Sequence, residues 1–62
     1  MKVKLYAVNQ DTGEQTFDRI CEINDLFEDQ NEAYVVNMEI KDSGRAWIGG
    51  GAAPLFLAMI WH

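Results

Sequence analysis

The stretch Gln15-Thr16-Phe17-Asp18-Arg19-Ile20-Cys21-Glu22-Ile23-Asn24-Asp25-Leu26-Phe27-Glu28-Asp29 decides the fold, because it can be read in two periods. Read in steps of three and four, Asp11, Glu14, Asp18, Glu22, Asp25, Asp29 and Glu32 fall on one face of an α-helix. Ile20, Ile23 and Phe27 then lie opposite, flanked by Phe17 and Leu26, and Thr16 serves as the N-cap. This reading predicts a helix over Phe17 to Asp29, with the three central apolar residues buried and the carboxylates exposed. Read in steps of two, Gln15 to Ile23 is a strand hairpinned to the segment before it, with Phe17, Cys21 and Ile23 inward. Asn24 then caps a short helix through Asp29. The helix is preferred, because the strand would turn Arg19 towards the interior.

On the N-terminal side, Val3, Leu5 and Ala7 alternate with Lys2, Lys4 and Tyr6, the period of a half-buried strand. Asn9-Gln10-Asp11-Thr12-Gly13 supplies a turn in which Gly13 is free to take positive φ. On the C-terminal side, Tyr34, Val36, Met38 and Ile40 alternate with Val35, Asn37, Glu39 and Lys41, which predicts a second strand. Asp42-Ser43-Gly44 is then its hairpin turn, and Arg45 to Ile48 the returning strand. Gly49-Gly50-Gly51 breaks the regular structure. From Pro54 to Trp61 the chain is apolar on every face, and its length with a glycine-rich entry favours a strand added to that hairpin. The expected fold is α+β: one amphipathic helix packed on a small antiparallel sheet of three to four strands, in a single domain spanning residues 1–62.

Composition narrows the function. Eight of the ten acidic residues lie between Asp11 and Glu32, where Arg19 is the one cation, while the formal net charge of the chain is −5. Direct binding to nucleic acid or anionic lipid needs clustered Lys and Arg, and the five basic residues are scattered. The ten-residue apolar run Ala52 to Trp61 is about half of a membrane span. A start that alternates charged and apolar residues, together with a single thiol at Cys21, points to the cytoplasm. One Cys and one His (His62) cannot close a tetrahedral zinc site, so neither metal nor cofactor is expected. With no disulfide and a small core, association with a partner or a second copy is the remaining way to add stability.

Catalysis has little to stand on. Ser43 falls in a turn, Cys21 would need His62 as its base, and a solvated carboxylate stripe gives no reason for a raised pKa. Gly49 to Gly51 is followed by Ala52-Ala53-Pro54, with neither the lysine nor the Ser/Thr of a phosphate loop, so a sheet corner or a close backbone approach is expected there. Two surfaces remain as candidates. The first is the acidic face of Asp18, Glu22, Asp25, Glu28 and Asp29, suited to a protein partner with a basic surface. At one carboxylate per helical turn, about 5.4 Å apart, it imitates duplex DNA only sparsely, since DNA carries a charge every ~1.7 Å. The second is an apolar patch of Trp47, Phe56 and Trp61 with Ile60, because one helix covers only one face of a sheet.

Size, acidity and the lack of catalytic residues resemble those of small phage or mobile-element inhibitors, among them anti-CRISPR and DNA-mimic proteins. The resemblance is one of composition, and no residue is carried over from it. It implies a small acidic binding protein that inhibits or regulates a larger, nucleic-acid-handling protein. The alternative is a structural homodimer or accessory subunit whose acidic face only keeps it soluble.

Overall fold

The computed structural model describes residues 1–61, so expectations that rest on His62 lie outside the described residues. The elements run β1 (Lys2–Val8), β2 (Gln15–Glu22), a 3₁₀ turn (Ile23–Leu26), α1 (Gln30–Ser43), β3 (Arg45–Gly50) and β4 (Ala53–Ile60). All pairings are antiparallel and the strand order is β2-β1-β4-β3, so β1 and β4 are central. One helix on a four-stranded sheet is the α+β architecture expected, but the helix and one of the strands come from other segments than the sequence pattern suggested.

The acidic stretch is a strand. β2 pairs with β1 from Lys2 opposite Glu22 to Val8 opposite Gln15, which overturns the helix over Phe17 to Asp29. The Asn9–Gly13 turn drives the hairpin. Asn9 Oδ1 accepts from the amides of Asp11 at 2.9 Å and Thr12 at 3.2 Å, Gly13 takes φ 77°, and Asn9 N donates to Glu14 O at 2.8 Å. The objection to this strand was Arg19, and it fails because β2 is an edge. Arg19 does lie opposite Leu5, yet its side chain stays about half exposed there. A bulge between the Leu5 and Tyr6 pairings leaves Asp18 unpaired, and Asp18 and Arg19, neighbours in sequence, form an ion pair. A helical stripe of carboxylates with one cation would instead have repelled itself at every i,i+4 step.

The segment read as an alternating strand, Tyr34 to Lys41, is helical. Ala33, Val36 and Ile40 form its buried stripe at spacings of three and four. Its ends carry the usual signals. Asp29 Oδ1 accepts from Asn31 N at 2.9 Å as N-cap, Glu32 lies in the first turn and Lys41 in the last. Gly44, expected in a hairpin, closes the helix in the left-handed conformation (φ 84°), donating from its amide to Ile40 O. Asn37 Nδ2 donates to Asn24 Oδ1 and to Ala33 O, both at 2.8 Å, tying the helix to the 3₁₀ turn.

Arg45 to Ile48 is a strand as expected, but its partner is β4 and not the segment before it. The apolar tail is a strand, paired on both sides. The core gathers Val3, Leu5, Ile23, Val36, Ile40, Ala46 and Ala58 between the sheet and the helical layer. At the corner between β3 and β4, Gly49 has φ 83°, and a Cβ there would sit 2.0 Å from the Pro54 carbonyl oxygen. This is a close backbone approach that only glycine permits. Gln10 braces the same corner, accepting from Gly51 N at 2.9 Å and donating to Gly51 O and Ala53 O.

Gly49→Ala should therefore lower the unfolding free energy by about 2 kcal/mol or more, through both the clash and positive φ. Gly51→Ala, with φ 63° and open space around it, should cost about 1 kcal/mol. Urea denaturation of the two variants checks the ranking.

Candidate functional site: the open face of the sheet

Strand alternation sends the two faces of the sheet to different fates. On the helix side, register aligns Cys21, Val3 and Ile60 in one row. Arg19, Leu5, Ala58 and Ala46 make the next, and Thr16, Ala7, Phe56 and Ile48 a third. Phe56 and Ile60 therefore pack against the core. This corrects the expectation that Phe56 shares a patch with the tryptophans: it is half-buried on the opposite face.

The other face has no helix over it. One of its rows runs Ile20, Lys4, Met59, Arg45, and the next Phe17, Tyr6, Leu57, Trp47. Beyond the second lie Gln15, Val8, Leu55 and Gly49; beyond the first, Glu22 and Lys2. Trp61 borders Lys2, whose Nζ stands 5.9 Å from its ring centroid. Phe17 is 54% exposed, Trp47 52% and Trp61 42%, with Ile20 and Met59 close behind. Tyr6 meets the Phe17 ring edge-on, centroids 5.8 Å apart. Leu57, between Tyr6 and Trp47 in its row, is 2% exposed, so the patch has a packed centre and an accessible rim. Contiguous exposed apolar surface with aromatic residues is the kind of surface from which protein interfaces are built.

The charges are sorted by face. The open face holds Lys2, Lys4 and Arg45 against one carboxylate, Glu22, which accepts from the Met1 amino group at 2.8 Å. The carboxylates expected to form one stripe are dispersed. Asp18 is at the β2 bulge, Glu22 at the end of that strand, Asp25 in the 3₁₀ turn, Glu28 in the loop after it, and Asp29 at the helix N-cap. The sequence pattern places Trp47 and Trp61 on an exposed patch, as they are, but does not bring Tyr6, Phe17, Ile20, Leu57 and Met59 to it. Helical spacing claims Phe17 and Ile20; the signal for their true place is the Asn9–Gly13 hairpin turn.

Elsewhere the surface offers less. A shallow concavity of ≈ 570 Å³ lies between the two hairpin turns, lined by Asn9, Gln10, Asp11, Gly51 and Leu55 among others. No group of three or more His, Cys, Asp or Glu side chains that could hold a metal ion occurs among the described residues. Cys21 is half-buried opposite Val3. Among the described residues no helix is long and apolar enough to cross a membrane. Comparison with protein-family models, curated proteins and solved structures finds no match for this chain.

Phe17 and Trp47 sit on edge strands at exposed positions. Replacing both with Ser should leave the unfolding free energy measured in urea within about 1 kcal/mol of the parent and should sharply reduce binding of a fluorescent apolar dye. An equal change to Val36, in the core, should unfold the domain.

Proposed function

We propose that this chain is a non-enzymatic protein-binding domain that works through the open face of its sheet. The observation that carries the reading is the surface of Phe17, Tyr6 and Trp47 around the covered Leu57, with Ile20, Met59 and Trp61, bordered by Lys2, Lys4 and Arg45. Aromatic side chains around a dry centre supply anchoring area at low entropic cost, and the basic fringe sets orientation. The single thiol fits action in the reducing cytoplasm.

A second reading keeps the acidic surface as the working one: an inhibitor or regulator that occupies a basic, nucleic-acid-handling protein. What favours it is the sorting of charge, since Glu22 is the one acidic residue that the pairing places in the rows of the open face. Asp25, Glu28, Asp29 and Glu32 cluster around the start of α1, and Glu39 and Asp42 follow on the helix.

One pull-down from native lysate separates the two. Carrying Phe17→Ser and Trp47→Ser, the bait should lose its bound protein, whether another species or more of the same chain. Carrying Glu28→Gln, Asp29→Asn and Glu32→Gln, with the N-cap preserved, it should keep that protein. Retention should also be little changed on going from about 0.1 M to 1 M salt, since apolar contacts are not screened. The opposite pattern, loss with the amide variants and with salt, would transfer the function to the acidic surface.

A further inference from the structure

We propose that the open face is closed by the same face of a second copy, in an isologous dimer whose two-fold axis lies across the strands. The inference rests on the open face being the binding surface, and names its occupant. Two sheets packed face to face can be related by a two-fold axis along the strands or across them. An axis along the strands stacks Lys2, Lys4 and Arg45 of both copies at one end of the interface, against only the two Glu22 carboxylates. The like charges repel there. An axis across the strands sends the two basic ends to opposite sides of the dimer.

That second axis, midway between the two central rows, also fits the side chains. Each residue of one row then lies over the residue opposite it in the other row, on the same strand of the second copy. Lys4 meets Tyr6, Arg45 meets Trp47 and Ile20 meets Phe17, each pair occurring twice, while Met59 lies over the ring of side chains that covers Leu57. Every cation of the central rows thus faces an aromatic ring, the arrangement that Lys2 and Trp61 already show within one copy. Every aliphatic residue faces an apolar one. Aligned sheets cross at about 30°, so Lys4–Tyr6 on a central strand keeps this register best. The edge pairs slide by a few ångströms.

The size of the face fits a weak dimer. Four strands about 4.8 Å apart and seven residues long at ~3.3 Å each cover about 440 Å² per copy. Two copies bury about 900 Å², above most chance contacts and in the range of weak, reversible association. The other exposed apolar stripe, Tyr34, Val35 and Met38 on α1, lies beside Glu39 and Asp42. Docking that stripe on the open face would join copies head to tail, into a ring or an open filament and not into a two-fold dimer.

Sedimentation equilibrium of the parent chain up to about 1 mM, the weak limit of specific association, should give the mass of a dimer. In a sample mixing isotope-labelled and unlabelled copies, filtered nuclear Overhauser spectra should show contacts between copies from Lys4 methylenes to the Tyr6 ring and from Ile20 methyls to the Phe17 ring. Trp47→Lys, which puts a second cation opposite Arg45, should weaken the dimer at least tenfold, whereas Val35→Lys should leave it unchanged. A strict monomer at the top concentration overturns the proposal. So do contacts between copies through Tyr34 or Met38, or a dimer indifferent to Trp47→Lys. A monomer would still leave the open face as a surface for another protein, a reading that falls only if the Phe17 and Trp47 variants lose no partner.

Discussion

The antiparallel pairing of β1 with β4, Val3 opposite Ile60 through Val8 opposite Leu55, joins the two ends of the chain and makes the rest of the structure possible. Without it the molecule is two hairpins, β1–β2 and β3–β4, and an isolated hairpin is barely stable in water. With it, Val3 and Leu5 from one hairpin and Ala58 and Ala46 from the other form a single inner surface for Ile23, Val36 and Ile40. The helix supplies the connection that this pairing requires, carrying the chain from the outer edge at β2 to the outer edge at β3.

The same pairing creates the open face. A central strand has two faces, and a chain with one fourteen-residue helix covers one of them. β4 shows the consequence: its middle residues alternate Leu57, Ala58, Met59, and only Ala58 lies under the helical layer. Small residues at Ala46 and Ala58 let the helix approach closely. The large ones, Trp47, Leu57, Tyr6 and Phe17, face away from it. The core itself is built of Val3, Leu5, Ile23 and Ile40, with Phe27 and Phe56 packed against it, while Phe17 and Trp47 on the other face stay about half exposed. That exposed aromatic area is why the face is read as a surface of contact.

How much of this was legible in the sequence varies by segment, for physical reasons. β1 could be read from its alternation and β4 from its short apolar run after a glycine-rich entry, whereas β3 follows from a hairpin with residues 34–41 that does not exist and is a strand because it pairs with β4. Residues 34–41 misled because Val36 and Ile40 satisfy both periods, two steps or four. Their true partner at the turn before, Ala33, is too small to stand out in a hydrophobic pattern. The deciding marks were at the ends, Asp29 as N-cap and Gly44 as the left-handed C-cap. Residues 15–22 misled because their carboxylates recur at helical spacing. Yet exposed residues on an edge strand need no apolar alternation at all, and spacing among residues that touch only water carries no structural information.

Alone, the sequence determined the class: a small α+β domain with no internal disulfide, a glycine corner at 49–51, an apolar C-terminal strand, and more apolar surface than one helix can cover. Those follow from composition and local chemistry, which act over a few residues. Only the tertiary structure decided which face each side chain occupies. Strand order and register are set by pairings between residues some 50 positions apart, such as Leu5 with Ala58. A one-residue slip in such a pairing moves every side chain of the strand to the other face. The bulge at Asp18 is one such slip, built into β2: it turns Phe17 to the open face beside Tyr6 and turns Arg19 away from it.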